Sequence, residues 1–295
     1  MHEKDKSEKY LEEYPDVFAD ILNVLVLEGD YIRADELYNG PTESIYKAEN
    51  GADINEQRRD ISKYLIRNNK IQALFGIENQ SAIDKNMAIR IMGYDYSSYR
   101  SQIVKGDSNY PVITIVLNFT YKKWKAPLSV KDFLKCPNEL GASVSGYNIK
   151  VINVAYLPKK IRNRFKSDFK IIADFFTEKR KTGKFTPTNI AIKHEIAVLN
   201  MLKIFTGDKR YEEIEYSIKA RKEKGEVITM CTFVDEWENK GMQKGLLQGR
   251  NEGRIMEAVL IYTEELHLSQ NEILKKIIKK FGLKKEDARK YLMQF

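Results

Sequence analysis

Apolar and polar residues follow two different periods along the chain, and each period predicts a different element. Residues 59–66 and 71–77 are strand-length runs rich in β-branched and aromatic residues. Between them, Asn68-Asn69 favours a tight turn, because asparagine tolerates positive φ. These features predict a β-hairpin. Residues 16–28 instead carry apolar side chains at helical spacing, which predicts a largely buried helix.

The pattern around the hairpin predicts the rest of a mixed fold. The segment 31–57 is polar and predicts a connection without a core of its own. Helical spacing over 83–103, with Ser81 as its N-cap, predicts a helix. The unbroken apolar run 110–119 predicts a strand buried on both faces, and 149–155 predicts a further strand. Together these elements predict an α/β (α+β) fold with a mixed central sheet flanked by helices.

From Pro158 onward the pattern becomes helical. Phe165, Phe169, Ile172 and Phe176 fall on one helical face. Residues 190–205 form a second amphipathic pattern, so a helical C-terminal extension is predicted. The expected organisation is a core over 1–157, a helical extension over 158–238, a glycine-repeat linker or helix over 239–254 and a basic helical tail over 255–295.

One internal repeat lies near the C-terminus. Glycine recurs every fourth residue at Gly241, Gly245, Gly249 and Gly253. Four glycines cost a helix roughly 3–4 kcal/mol relative to alanine, so a helix here would be marginal by itself. Two interpretations stay open, namely a helix whose glycine face admits another backbone and a flexible basic linker. Farther on, Ser269 and Glu272 have the spacing of a capping box.

Charge is distributed unevenly along the chain. The net charge is +8, but residues 1–57 hold 5 Lys/Arg against 15 Asp/Glu. The basic residues concentrate in 157–184, with ten basic against three acidic side chains, and in 269–295, with eight against three. A basic surface attracts polyphosphate without specifying sequence, and solvated helix faces are the alternative explanation.

Two acids are brought to one end of the predicted hairpin. A two-residue loop pairs positions whose numbers sum to about 137, which sets Asp60 opposite Ile77 and beside Glu78. Two carboxylates so placed repel each other unless a cation lies between them. Gln80 shares a face with Glu78, because strand side chains alternate.

These residues carry a resemblance to a known nuclease class. The order Asp60…Glu78-Asn79-Gln80 is similar to the D…(D/E)-x-K signature of PD-(D/E)XK nucleases, with glutamine in place of lysine. The surrounding segments RRDI, LFGIENQS and MAIRIMGYDYSSYRSQI resemble the recombination-promoting nuclease/putative transposase family of bacteria. The resemblance implies a restriction-endonuclease-like core and a metal-dependent DNA endonuclease associated with recombination or transposition.

The resemblance also implies roles for particular residues. Asp60 and Glu78, with the backbone carbonyl of Asn79, would bind Mg²⁺ (or Mn²⁺), and Gln80 would orient a water molecule. An acid on the first helix often approaches the metal in this class, which makes Asp20 the candidate. A place for Asp20 at the solvent edge of its helix remains the alternative.

Several residues are candidates for contact with DNA. The family pattern Y-D-x-x-x-Y-x-x-Q corresponds to Tyr94, Asp95, Tyr99 and Gln102, although aromatic packing of helix on sheet is the favoured explanation for the tyrosines. Basic side chains also flank Trp124 at the end of a predicted strand, where α/β sheets tend to place their sites. The candidates are Arg90, Tyr94, Gln102, Lys122, Lys123 and Lys125.

A second function follows from the departure at Gln80. Glutamine is uncharged and cannot offset negative charge that develops on a phosphate, so a catalytically weak or inactive DNA-binding or regulatory protein on the same fold is the alternative. A zinc protease is not indicated, because His194-Glu195 lacks the second histidine of H-E-x-x-H and position 198 is Val.

The remaining composition bears on location and partners. No apolar run approaches the ~18–20 residues of a membrane span, and the N-terminal segment 1–10 is too charged for a signal peptide. A cytoplasmic protein that binds DNA and no membrane is expected if the resemblance holds, with homo-oligomerisation left open. Cys136 and Cys231 lack a C-x-x-C partner, so neither a disulfide framework nor a zinc site is indicated.

Overall fold

The computed structural model describes most of the chain, in two compact units divided between Phe233 and Val234. Among the described residues, no helix is long and apolar enough to cross a membrane. The charged segment 1–10 lies outside the described residues. The described ranges are 11–47, 54–106, 109–134 and 136–293, with only the backbone described over 43–47 and 54–58.

A five-stranded mixed sheet forms the centre of the first unit. Its strands are β1 (Leu37–Asn39), β4 (Ile61–Arg67), β5 (Lys70–Gln80), β6 (Val112–Asn118) and β7 (Lys150–Asn153), and this is also their order across the sheet. The β1–β4 and β4–β5 pairs are antiparallel, and the β5–β6 and β6–β7 pairs are parallel. The predicted mixed sheet is therefore confirmed. A separate antiparallel pair consists of β2 (Glu43–Lys47) and β3 (Ile54–Arg58).

The segment 31–57, predicted as a polar connection without a core of its own, contains strand β1, strand β2 and most of β3. Strand β1 is three residues long and pairs with β4 at the sheet edge, starting from Leu37 opposite Leu65. An edge strand of this length is too short to show an apolar alternation. The backbone pairing of β2 with β3 arises in a polar stretch, where no periodic signal exists.

The predicted hairpin forms between β4 and β5. Asn68 and Asn69 have φ values of 51° and 57°, as a two-residue type I′ turn requires. Next to the turn, the residue numbers of each pair sum to 137, as for Ile66 and Ile71. Gln72 is an unpaired bulge residue, so the sum is 138 for the pairs farther from the turn, beginning with Leu65 and Ala73. The bulge therefore places Asp60 opposite Glu78, whereas a hairpin without a bulge predicted that Asp60 would lie opposite Ile77.

Helices cover both faces of the sheet. The helices of this part are α1 (Pro15–Leu25), α2 (Met87–Lys105) and α3 (Val130–Leu134). The predicted start of α2 behind Ser81 is wrong, because the helix begins after Asn86. The side chain of Asp84 accepts the Asn86 N–H at 2.8 Å and so organises a turn ahead of the helix.

The C-terminal half of the first unit is helical, as predicted. It contains α4 (Lys159–Arg162), α5 (Phe169–Thr182), α6 (Glu195–Thr206) and α7 (Arg210–Glu223). The apolar face of α5 packs on the end of β6, where the Phe119 ring centroid lies 5.4 Å from that of Phe176 and 4.7 Å from that of Phe205. This aromatic cluster fixes the helices to the sheet.

The glycine repeat is helical. Helix α8 (Met230–Leu260) runs through all four glycines, and a Cβ built at any of them would meet nothing within 4 Å. The tail forms α9 (Gln270–Phe281), which begins with the predicted Ser269–Glu272 capping box, and α10 (Lys285–Leu292). Of the two interpretations of the repeat, the helix is the one observed, but no other backbone of the described residues approaches its glycine face.

Candidate active site

The two predicted acids lie together where the hairpin opens. Glu78 is fully buried near the end of β5, and Asp60 immediately precedes β4. The Asp60 N–H donates to Glu78 Oε1 at 2.9 Å, and the Asn79 N–H donates to Asp60 Oδ2 at 2.8 Å. The Glu78 carboxylate is thus held by the backbone of Asp60, and the Asp60 carboxylate by the backbone of the residue after Glu78. This reciprocal bonding fixes both carboxylates without using all of their lone pairs.

Helix α2 supplies a positive charge to this pair. Arg90 Nη2 lies 3.4 Å from Glu78 Oε2 and donates to the Tyr94 hydroxyl at 3.1 Å. Arg90 Nη1 donates to Asp84 Oδ2 at 2.8 Å. Because the Arg90 side chain is 38% exposed, its guanidinium also faces solvent. A phosphate approaching the pair would therefore meet Arg90.

A third acid, Glu12, approaches from the opposite face of the sheet. Its Oε2 accepts a hydrogen bond from Asn79 Nδ2, and the side chain is fully buried. Glu12 Oε1 and Asn79 Oδ1 are buried without a hydrogen-bond partner in the described part of the chain. Such orphaned acceptors are unusual in folded proteins and mark a place where water or a cation could bind.

Burial shifts the protonation of two of these acids. Loss of hydration raises the pKa of Glu78 to about 8; the Asp60 carboxylate adds to the rise and Arg90 opposes it. Loss of hydration likewise raises the pKa of Glu12 to about 8, against the bond from Asn79 and with a further contribution from Asp60. Strongly shifted acids of this kind cluster at functional sites.

The prediction that Asp20 reaches the acid pair is corrected by its contacts. Asp20 Oδ2 accepts the N–H groups of Lys166 and Ser167 at 2.8 and 2.7 Å, so this acid ties α1 to the segment ahead of α5. The acid from the N-terminal part that reaches Asn79 is Glu12. Sequence reasoning missed Glu12 because it precedes the proline that starts α1 and belongs to no periodic pattern.

A buried polar cluster anchors the residue next to Asp60. Arg59 Nη2 donates to Asp95 Oδ1 at 2.8 Å, and the Thr114 hydroxyl donates to the same oxygen at 2.6 Å. The Tyr147 hydroxyl donates to the other Asp95 oxygen. Gly76 provides the space, since a Cβ there would lie 2.8 Å from Arg59 Cδ. The cluster ties the start of β4 to α2 and β6.

The aromatic and amide residues of α2 are mainly structural. Gln102 is buried, and its side chain accepts the Tyr110 N–H at 3.0 Å and donates to the Tyr110 carbonyl at 3.2 Å. The prediction that Gln102 contacts DNA is therefore wrong, because both ends of its amide are used on the strand. Tyr94 is also buried, and its hydroxyl accepts a hydrogen bond from Arg90. The Tyr99 hydroxyl accepts the Val112 N–H at 3.0 Å.

The predicted lysines lie in a loop at the carboxyl ends of the parallel strands. Gln80 and Asn118 are register partners there, and Asn118 Nδ2 donates at 2.9 Å both to the Lys122 carbonyl and to Asn153 Oδ1. The Trp124 N–H donates to the same Asn153 oxygen at 2.7 Å. The loop is thereby fixed to the edge of the sheet that carries Gln80. Its exposed basic side chains are Lys122, Lys123 and Lys125.

A second basic element reaches this loop. The Arg180 guanidinium carbon of α5 lies 4.1 Å from the centroid of the Tyr156 ring, and Lys123 Nζ lies 5.3 Å from it. Arg180 Nε also donates to the Ala155 carbonyl at 2.7 Å. Tyr156 therefore gathers two cations from separate parts of the sequence into one surface.

The donor atoms of the site suit a hard cation. No three His, Cys, Asp or Glu side chains form a ready ligand set anywhere in the described ranges. Mg²⁺ is usually bound through one or two carboxylates together with water and substrate phosphate, and Asp60 and Glu78 are the carboxylates that could serve in this way. Carboxylate and carbonyl oxygens suit Mg²⁺ and Mn²⁺ alike. The orphaned oxygens of Glu12 and Asn79 are further acceptors nearby, on the other face of the sheet.

The fold and site define a mixed α/β protein with two clamped carboxylates beside a basic strand-end loop. Residues 65–181 match the family model described as "Putative transposase, YhgA-like", so this part of the chain is similar to a family linked by its description to transposition. The match confirms the predicted resemblance to a putative transposase family. It includes Glu78, Gln80 and the lysine loop, and begins after Asp60. No curated protein and no solved structure matches the chain.

Proposed function

We propose that the protein is a DNA endonuclease that hydrolyses phosphodiester bonds with Mg²⁺ (or Mn²⁺), in recombination or transposition. The observation that carries this proposal is the reciprocal clamp of Asp60 and Glu78 by backbone N–H groups. Holding two carboxylates together in a buried place is unfavourable unless one of them is protonated or a cation offsets their charge. Asp60, Glu78 and the Asn79 carbonyl would bind that cation.

The chain's own groups each have a defined task in this proposal. When bound, the metal ion supplies charge neutralisation at the scissile phosphate and lowers the pKa of a water molecule. Gln80 presents an amide on the same face as Glu78 and can orient that water by hydrogen bonding. Arg90 supplies beside Glu78 the positive charge that Gln80 lacks. Glu12 holds the Asn79 side chain from the other face of the sheet.

DNA would be held by the basic surface next to the acids. Lys122, Lys123 and Lys125 are exposed on the strand-end loop, and Arg180 adds a charge from α5. Lysine and arginine bind phosphate without reading sequence, and binding releases counterions. The family association with transposition or recombination supports DNA as the partner.

Plasmid cleavage tests the proposal. Purified protein is expected to nick or linearise supercoiled DNA with Mg²⁺ or Mn²⁺, and Asp60→Asn and Glu78→Gln should abolish the reaction while circular dichroism shows folded protein. Asp132→Asn, an exposed acid on α3, is the matched control and should cleave normally. Absence of both cleavage and divalent-metal binding in the wild type would overturn the proposal.

A DNA-binding protein without turnover is the second candidate. The uncharged Gln80 in place of lysine favours it, because lysine's charge would offset charge building on the phosphate. In that case the same preparations would bind Mg²⁺ and DNA, and no variant at position 80 would change a background rate of cleavage.

A further inference from the structure

The segment that carries Glu12 is held by residues far away in the sequence. The Tyr14 ring stacks on the His194 imidazole, with centroids 3.6 Å apart and planes inclined by 27°. His194 Nε2 lies 3.0 Å and 3.1 Å from the two carboxylate oxygens of Asp16. His194 therefore contacts the positions two and four residues after Glu12.

His194 is itself rigidly placed. Its backbone N–H donates to Asp168 Oδ2 at 2.6 Å, and the Lys193 N–H donates to both Asp168 oxygens at 3.1 Å. Its carbonyl accepts the Val198 N–H at 3.0 Å and so starts α6. Because its side chain is only 10% exposed, the imidazole has little freedom to leave the stack.

Glu12 needs such an anchor. A buried carboxyl with an orphaned oxygen is unfavourable, and Glu12 would gain hydration if residues 11–14 moved away from the sheet. Leu11 is buried beside it and Pro15 starts α1, so the segment between them is short. The contacts of His194 with Tyr14 and Asp16 oppose that movement from the C-terminal side of Glu12.

We propose that His194 is a positioning residue that keeps Glu12 on Asn79, and thereby keeps the Asn79 carbonyl and Asp60 in place for the cation. The inference rests on the proposed metal site and adds to it a remote determinant in the helical part of the first unit. The effect is transmitted in order from His194 to Tyr14 and Asp16, to Glu12, and then to Asn79. Groups that orient metal ligands in this way typically change metal affinity or activity by about 10- to 100-fold when removed.

Three variants separate the stack from the charge. His194→Ala removes both the ring contact and the Asp16 bond, and His194→Phe keeps a ring for Tyr14. Lys193→Ala is the matched control, because it removes only the ion pair of a 69% exposed lysine with Asp16 and leaves the imidazole in place. Exposed ion pairs of this kind contribute little.

The first measurement is hydrogen exchange of the backbone amides over 11–16, which needs neither metal nor activity. Exchange should become faster in His194→Ala, partly recover in His194→Phe and stay unchanged in Lys193→Ala. The second is the Kd for Mn²⁺ by calorimetry, expected to rise about 10- to 100-fold in His194→Ala. In cleavage assays kcat should fall while KM for DNA stays the same, a split that partial unfolding would not produce.

Unchanged exchange over 11–16 in His194→Ala would overturn the inference. So would faster exchange together with an unchanged Mn²⁺ Kd. A wild type that neither binds Mn²⁺ nor cleaves DNA would instead refute the proposed function, and the exchange data would still show whether His194 holds the segment. Should His194→Ala fail to fold, Tyr14→Ala removes the same stack from the other side and is judged by the same criteria.

Discussion

Binding of Mg²⁺ should depend steeply on pH, because the proposed site contains acids that hold protons at neutral pH. Burial raises the pKa of Glu78 and of Glu12 to about 8 each. A protonated carboxyl cannot ligate a cation, so below this value the proton must leave as the metal binds. The Kd for Mg²⁺ is therefore expected to fall as the pH rises from 6 to 8 and to level off above that.

The magnitude follows from proton linkage. One displaced proton changes the Kd about tenfold per pH unit, or ~1.4 kcal/mol, in the range below the pKa. Loss of the Glu78 proton alone thus predicts about a 50-fold tighter Kd at pH 8 than at pH 6, because half of Glu78 is still protonated at pH 8. If the Glu12 proton leaves as well, the slope of log Kd against pH doubles.

The same acids set the pH dependence of stability without metal. Between the ordinary pKa of 4.5 and about 8, the folded state binds more protons than the unfolded state at Glu12 and Glu78. The free energy of unfolding therefore decreases as pH rises through this window. Complete ionisation of one such group costs on the order of 5 kcal/mol. Mg²⁺ should offset this loss, so its stabilising effect on Tm should be larger at pH 8.5 than at pH 6.

Calorimetry in two buffers of different ionisation enthalpy measures the protons released as Mg²⁺ binds. Glu12→Gln should lower that number while binding persists, and Glu78→Gln should remove binding itself. Asp132→Asn should behave as the wild type. A Kd that stays flat from pH 6 to 8, with no proton release, would refute the reasoning that these buried acids face the cation.

Three further outcomes are expected. Gln80→Lys should preserve or raise the cleavage rate between pH 6 and 9, because lysine reaches the same face with a positive charge; a Gln80→Ala rate equal to wild type would show that the side chain has no catalytic role. Asp95→Ala should lower the free energy of unfolding by ~3–5 kcal/mol in urea titrations, since it leaves the Arg59 guanidinium buried without its carboxylate. Replacing Lys122, Lys123 and Lys125 by alanine should reduce the slope of log affinity for DNA against log salt by about 2–3, and an unchanged slope would place DNA elsewhere.

The sequence predicted the central elements because their signals are local. Asn68-Asn69 specifies the turn, and the apolar runs on either side specify β4 and β5. The acid pair followed from turn geometry with an error of one residue, since nothing in the sequence marks the bulge at Gln72. Local chemistry thus located the centre of the candidate site but not its exact register.

The misses share a different cause, which is long-range contact. Asp20 and Glu12 are both acids of the N-terminal region, and only tertiary packing shows that Asp20 binds the backbone at Lys166 while Glu12 reaches Asn79. Gln102 matched a family pattern, but in this fold its amide bonds with the backbone of Tyr110. Periodicity carries no information on which polar residues meet across the fold.

Because of the bulge in the hairpin, the alignment of Asp60 with Glu78 does not depend on the length of the two strands. Asp60 lies seven residues before Arg67, the last residue of β4, whereas Glu78 lies eight residues after Lys70, the first residue of β5. The extra residue in β5 is Gln72, which forms the bulge. The acids are level because each arm of the hairpin contributes the same number of paired residues, whatever the total length of the arm. Deleting Gln72 should therefore regularise the ladder and leave Asp60 level with Glu78. Adding one residue to each arm beside the turn should move only the turn outward, whereas a single insertion in one arm puts Asp60 out of step with Glu78 unless a new bulge forms.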